Sequence, residues 1–516
     1  MQHRPTAIRE RPMFGRMGVW SLVAGLILVV GVLRWQSLDL RPVHTDEAEN
    51  AWILAKDQSG AGYVFSPEHH HGPVLNAWLR LPAKLFRYES YAQMEMRPLR
   101  AAVWAVGLLT LLVLVRFSRV LGRVGVLIAM GVAGTSGLLT YYGNMVIHET
   151  LLGALGLLAG WVGWQWMHER TWTRAWLLGL IAGCMLATKQ TALIWFAGWG
   201  CASLFLLVWT PDLRKKVLVK QGWVQLGVAA LFALGVAALL YTDGLRHPAG
   251  AGDAIRSLWH YRTAVEHEKP WTYYFTDLLL PIRQAPFGSY DWLLWAMTAT
   301  GVVACLIPPK HALALDVRTR RFAGFVGVSA VVQLISYTVV AYKTPWLMLG
   351  VWLHAALLAG VGARWIGGWS ISPLRWLAWV VLILLAGVQL QNAHRLNAVY
   401  HSDPRNPLAY APTSANIEHL PHFLEWRTKG TASDTDIVVV GDYIWPIPWY
   451  LRRFHGVEYV PGTEPRPTAN IWILTDASYA ALQPGWMKER QLFPFSLRPN
   501  VPVYVCLPNE SDPSDD

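Results

Sequence analysis

The chain has 516 residues, 53% of them hydrophobic and only 15% charged, with 29 Trp and a mean hydropathy of +0.28. Apolar runs near twenty residues recur along it, which excludes an ordinary soluble globular protein and marks a polytopic membrane protein. The net charge of +11 is a topology signal before it is a nucleic-acid footprint, because Lys and Arg gather between the apolar runs; no nucleic-acid partner is expected.

Arg4, Arg9, Arg11 and Arg16 precede the apolar run from Met17 to Leu33. The arrangement is that of a signal sequence, yet no small-residue cleavage site follows, so an uncleaved first span is expected. Further candidate spans lie near 100–115, 124–141, 147–166, 175–188, 191–209, 223–241, 292–308, 322–341, 346–363 and 376–391, which makes about eleven transmembrane helices. A cytoplasmic N-terminus puts Arg116, Arg119 and Arg123 in one inner loop and Arg170 and Arg174 in the next. The later inner loops hold Arg214, Lys215, Lys216 and Lys220, then Lys310, Arg318, Arg320 and Arg321, then Arg364 and Arg375. The opposite orientation exports nearly all of these cations.

An odd number of spans sends the tail outward. The expected organisation is therefore a mainly α transmembrane domain over 1–391, with long outer loops at 35–99 and 242–291, and a small soluble, extracytoplasmic α/β domain over 392–516. In the tail, "DIVVVG", "ANIWIL" and "VEYVPG" read as strands, and "WPIPWYLRRF" and "DASYAALQ" as short helices or turns. No Gly-rich phosphate fingerprint follows a strand there. In the two long loops, "VLNAWLRLPAKLF" and "AIRSLWHYRTAVEH" have the spacing of short interfacial helices on the outer leaflet. The four cysteines, Cys184, Cys201, Cys305 and Cys506, are scattered and form neither a disulfide framework nor a CxxC motif.

Polar residues that interrupt the apolar pattern fall at the outer ends of the spans. Asp46 and Glu47 follow the first span, "HHHGP" (residues 69–73) lies in the same loop, and His148 and Glu149 open the fourth span. Lys189 and Gln190 sit in a tight turn, His260 and His267 in the second long loop, and Lys343 between the ninth and tenth spans. Each has a bland reading: a snorkelling lysine, a helix N-terminal acid, an interface tyrosine. Membrane-depth charges cost a few kcal/mol each, and their coincidence on one face of six segments favours an outward site. Three consecutive histidines cannot all face one ion from a regular element, so no metal site is assigned; a divalent metal ion is the one cofactor left open. An acid beside a hydroxyl is a general base, and lysine is a point charge for phosphate. Outside the cytoplasmic membrane the sugar donor that fits such a site is a lipid that crosses the bilayer.

The motifs "TDEA", "HHHGPVLNAW", "HEKPWTYYF", "SYDWLL", "YKTPWL" and "GDYIWPIPWYL", in this order, resemble the GT-C membrane glycosyltransferases. That class includes the dolichyl-phosphate-mannose mannosyltransferases and the bacterial aminoarabinose transferases. The chain is most similar to the prokaryotic subfamily labelled flippase-activity-associated protein. The resemblance implies Asp46 as catalytic base with Glu47 completing the acidic pair, and leaves Glu49 outside the motif as a solvated neighbour. It implies His71, with Gly72 and Pro73, as part of the substrate mouth and Glu149 as the second acid. Lys189 and Lys343 are implied as holders of the lipid phosphate, and His260 and Tyr274 flank a loop that closes over the site. One departure is Asn144, where the family often has Arg five residues before the second acid. The implied reaction is inverting transfer of a sugar from a polyprenyl-phosphate donor to a hydroxyl on a lipid, glycan or protein acceptor, at the outer face of the cytoplasmic (inner) membrane. The alternative is a flippase, or flippase accessory, for lipid-linked sugars, which calls for polar groups at the bilayer midplane.

Overall fold

The computed structural model describes residues 16–260, 267–279, 291–311, 313–369, 372–430, 435–463, 469–482, 486 and 490–509. Its helices are α1 (Arg16–Trp35), α2 (Thr45–Lys56), α3 (Val74–Leu85), α4 (Met96–Val115), α5 (Ser118–Gly134), α6 (Gly137–Gly143), α7 (His148–His168) and α8 (Trp172–Leu186). They continue with α9 (Ala192–Trp209), α10 (Pro211–Val217), α11 (Lys220–Tyr241), α12 (Ala249–His260), α13 (Trp292–Leu306), α14 (Val317–Val339), α15 (Leu349–Gly367) and α16 (Ser372–His394). The chain forms two compact units. The first comprises Met1–Leu38, Ala61–Leu81 and Arg100–Tyr400; the second comprises Asp39–Gly60, Pro82–Leu99 and His401–Asp516.

The first unit is a helix bundle with a helix at each position where the apolar runs predict a span. Among the described residues six helices are long and apolar enough to cross a membrane, seven if the bent pair α5 and α6 is one span. Residues Trp20–Trp35, Trp172–Leu186 and Trp292–Leu306 are apolar but shorter. A helix of fifteen residues rises about 22 Å against a hydrocarbon thickness of about 30 Å, which separates apolar character from crossing length. The most enclosed helix is α15, every residue of its apolar window being buried. Glycines let its backbone meet its neighbours: a Cβ on Gly301 of α13 lies 2.1 Å from the Leu358 carbonyl oxygen, and one on Gly125 of α5 lies 2.6 Å from that of Gly360.

The 64° bend between α5 and α6 exposes backbone groups that an unbroken helix satisfies internally, and charged side chains of matching sign meet them. Arg34 of α1, buried, donates to the Ala133 and Gly134 carbonyls at the end of α5, each at 3.2 Å. Asp291, at the head of α13, accepts from the Gly137 amide at 2.9 Å, the Ser136 hydroxyl at 2.8 Å and the Trp352 indole at 2.7 Å. This gives the "SYDWLL" motif a structural role. Asp291→Ala strands three buried donors and is expected to cost about 3 kcal/mol or more, read as a lower thermal unfolding midpoint in detergent, with Asp291→Asn recovering part of the loss.

The second unit is built on a five-stranded sheet of order β2-β1-β3-β5-β4, from β1 (Ile437–Val440), β2 (Val457–Val460), β3 (Ile471–Thr475), β4 (Arg490–Arg498) and β5 (Val501–Pro508). β1, β2 and β3 are parallel and β4 and β5 form an antiparallel hairpin beside them. The fully buried runs IVVV and IWIL suit the parallel strands. Short helices α18 (Ile447–Tyr450) and α19 (Asp476–Ala480) form where the sequence indicates helical turns, and α17 (Leu420–Arg427) precedes the sheet. Residues 39–60 and 82–99, from the first long loop, fold with this sheet-bearing unit.

Candidate active-site residues

In the first unit the sequence candidates converge on the turn between α8 and α9. Glu149, on the first turn of α7, and Lys189, in the turn, form an ion pair in which each side chain is 6% exposed. Glu149 also acts electrostatically on Tyr337 near the end of α14. The segment carrying His71 lies along this turn: the Gly72 amide donates to the Thr188 carbonyl and that of Val74 to the Ala187 carbonyl, both at 3.1 Å. A Cβ on Gly72 lies 2.1 Å from the Ala187 carbonyl oxygen, so only glycine permits the approach. His71 Nδ1 is 3.1 Å from the Gln190 amide oxygen, its carbonyl accepts from the Tyr63 hydroxyl, and its ring meets that of His148 edge to face at 5.0 Å. Burial, with the charge of Lys189 beside it, holds the His71 imidazole well below its ordinary range, so it works as a neutral group. Gln190 reaches α12 through its amide, 3.3 Å from the Ser257 hydroxyl.

Lys343 is buried, donates to the Val340 carbonyl and pairs with no carboxylate among the described residues. Desolvation lowers its pKa. Its backbone is tied to the second long loop: the Lys343 amide donates to His267 O at 3.0 Å, that of Lys269 to Ala341 O at 3.1 Å, and Glu268 bridges Tyr342 antiparallel. Tyr274 is fully buried, and its hydroxyl donates to Thr344 O at 3.2 Å. Tyr274 is thus a strut beneath the "KTP" segment. His260 ends α12, and its side chain lies outside the described residues.

In the second unit the two adjacent acids separate sharply. His44 is the N-cap of α2: its Nδ1 accepts from the Asp46 amide at 3.2 Å, while the Glu47 carboxylate accepts from the His44 amide at 3.1 Å. Glu47 is 1% exposed and engaged in this reciprocal cap. Asp46 is 40% exposed, its carboxylate 3.7 Å from His44 Nδ1 and without a hydrogen bond among the described residues. The start of α2 is held by C-terminal residues. Val43 N donates to the Tyr450 hydroxyl at 3.0 Å, Thr413 donates to Val43 O at 2.8 Å, Arg498 donates to the Thr45 hydroxyl at 2.9 Å, and His44 Nε2 is 3.3 Å from Tyr410 O.

Three features go beyond the sequence reading. Glu49, expected as a solvated neighbour, is half-buried. Burial, helped by the charge of Asp46 one turn before it, pushes its pKa up to about 7. The folded protein therefore keeps a proton between about pH 4.5 and 7 that the unfolded chain releases, so stability falls as pH rises through that window. Glu49→Gln is expected to flatten that slope, raising the unfolding midpoint at pH 8 relative to the parent more than at pH 5. Asn144, at the departure from the family pattern, is buried and donates to Arg34 O at 2.9 Å and the Ser37 hydroxyl at 2.8 Å. Inside the bundle, His354 lies between the Gly350 carbonyl at 2.6 Å and the Ser329 hydroxyl at 2.9 Å, with fully buried Gln333 one turn further along α14. Among the described residues no group of three His, Cys, Asp or Glu side chains converges on a metal position.

This arrangement of helices and terminal sheet is the GT-C fold, and the chain is a multi-pass membrane protein of that fold class. The particular likeness is to ArnT from Cupriavidus metallidurans. Its apo structure superposes with a TM-score of 0.64 at 14% identity, over 95% of this chain and 98% of that one. The same protein bound to undecaprenyl phosphate gives a TM-score of 0.62 at the same identity and coverage. The Archaeoglobus fulgidus oligosaccharyltransferase, in complex with Zn and sulfate, is similar at a TM-score of 0.50 and 11% identity, over 94% of this chain and 73% of that one. At these identities the likeness is one of fold. No protein-family model and no curated protein matches the sequence.

Proposed function

We propose that the protein is a membrane glycosyltransferase that uses a polyprenyl-phosphate-linked sugar. The observation that carries this reading is the fold shared over 95% of the chain with a protein whose structure holds undecaprenyl phosphate. The charged residues at the head of α7 and in the turn between α8 and α9 support it, since buried ionisable groups in a membrane bundle are candidates for function. In this reading the acceptor hydroxyl attacks the anomeric carbon of the donor, the bond from that carbon to the phosphate oxygen breaks, and polyprenyl phosphate leaves. Asp46 takes the hydroxyl proton, as its exposure and lack of hydrogen bonds permit. Lys343 supplies positive charge to the leaving phosphate. Lys189 acts within its pair with Glu149, which orients the turn on which His71 is docked. The single in-line displacement inverts the anomeric configuration.

The acidic helix and the sheet-bearing unit are assigned to the outer face of the cytoplasmic membrane on the distribution of Lys and Arg in the inner loops. Purified protein in lipid nanodiscs, given a panel of polyprenyl-phosphate sugars labelled in the sugar, is expected to release polyprenyl phosphate and form a labelled product. Translocation of a lipid-linked sugar across liposomes without any transfer overturns the reading. In spheroplasts, a C-terminal tag open to external protease is the expected outcome, and a protected tag overturns the topology.

A further inference from the structure

The first unit carries a groove of about 1210 Å³ between α4 and α7, reached also by Ala77 and Trp78 of α3 and by Val74, whose amide docks the His71 segment. On α7 its wall is the stripe Leu151, Ala154, Leu158, Trp161 and Gln165, spaced three to four residues apart on one helix face. From Leu151 to Gln165 the stripe runs about 21 Å, most of the hydrocarbon depth of a bilayer. One end therefore lies near the head of α7, where Glu149 sits. The other ends among Arg116, Ser118, Arg119 and Arg174.

That end is charged in a particular way. Arg174 is already paired, donating to the Glu169 carboxylate at 2.6 Å. Arg116 and Arg119 are exposed and form no ion pair among the described residues. The Arg116 guanidinium stands 5.6 Å from the Trp161 ring, and the Trp161 indole donates to Arg116 O at 3.1 Å, so an aromatic anchor and a free cation share the groove mouth. An apolar channel of this length ending in two exposed arginines, Arg119 sharing the field of Glu169 with Arg174 and Arg116 facing no carboxylate among the described residues, is complementary to one kind of molecule, a lipid with hydrocarbon along the stripe and an anion at the mouth. The phosphate of a polyprenyl-phosphate donor belongs at the opposite end of α7, beside the charges assigned to transfer. The occupant is thus a different lipid.

We infer that this groove is a binding site for an anionic glycerophospholipid of the leaflet at the C-terminal end of α7, its headgroup held by Arg116 and Arg119 and an acyl chain lying along α7. The exclusion of a polyprenyl phosphate from this groove rests on the transferase reading, whereas retention of an anionic phospholipid by the two arginines is tested without it. Protein purified in detergent is mixed with micelles of phosphatidylglycerol, phosphatidylcholine or undecaprenyl phosphate, and bound lipid is counted by native mass spectrometry. The expected result is selective retention of phosphatidylglycerol, reduced at least tenfold in Arg116→Glu/Arg119→Glu and kept in Arg116→Lys/Arg119→Lys. Leu158→Trp, which fills the groove and leaves the charges, is expected to reduce retention as well. Equal retention of phosphatidylglycerol and phosphatidylcholine, displacement by undecaprenyl phosphate, or full retention in the double glutamate variant overturns it. The two arginines are exposed, so folding of their variants is checked directly by an unchanged elution profile and lipid-free unfolding midpoint.

Discussion

Asp46→Asn is expected to lower sugar transfer by roughly 10²–10⁴-fold, the usual contribution of a positioned general base, with only a small change in unfolding temperature as the field on Glu49 and His44 changes. The asymmetry between the two neighbouring acids makes this specific. Asp46 is 40% exposed and its carboxylate has no hydrogen bond to lose among the described residues. Glu47 is buried and closes the cap of α2. Glu47→Gln keeps an acceptor for the His44 amide, whereas Glu47→Ala removes it and is expected to cost about 1 kcal/mol of stability. The test is a pair of measurements, turnover and unfolding midpoint, on Asp46→Asn and Glu47→Ala side by side. Loss of transfer in the Glu47 variant beyond its loss of folded protein, with an active Asp46 variant, reverses the assignment.

Breaking the Glu149 and Lys189 pair is expected to have the largest effect on stability. Both side chains are 6% exposed, so removing either partner leaves an uncompensated charge, which typically costs 3–5 kcal/mol. Removing both leaves none. Glu149→Gln and Lys189→Met are therefore each expected to lower the unfolding midpoint by several degrees, and the double variant to recover most of it. Activity separates the roles: if the pair only scaffolds the turn, the refolded double variant transfers sugar, and if Lys189 charge serves the reaction, it does not. The readout is thermal unfolding in detergent with turnover per folded molecule. Single variants as stable as the parent contradict the buried pair.

The bundle was legible because lipid-facing and core helices alike need long apolar runs, and those runs survive averaging over a window. The same averaging hides Gln333 and His354, single polar residues inside α14 and α15. The polar residues at the helix heads were legible as a set, but not their pairing: Glu149 and Lys189 are 40 residues apart in sequence, and periodicity carries no tertiary register. Glu49 was misread for a local reason. Without a helix at 45–56, the one-turn spacing that places it beside Asp46 is invisible. A Glu three residues after the cap position was the available signal for α2, weakened by His rather than Ser or Thr as the cap. The hairpin of β4 and β5 was missed because Pro494, Pro502 and Pro508 interrupt the alternation that identifies strands.

The second unit takes residues 39–60 from near one end of the chain and 401–516 from the other. During synthesis the acidic helix leaves the ribosome hundreds of residues before Tyr410, Thr413, Tyr450 and Arg498, the groups that hold its first turn. The Asp46 carboxylate therefore waits through insertion of the whole bundle for its setting. A chain stopped before residue 401 contains every charged group of the first unit and the acid itself, yet lacks the scaffold that orients it. Completion of the polypeptide is in this way a precondition for the Asp46 role proposed above, and a chain stopped before residue 401 is expected to transfer no sugar.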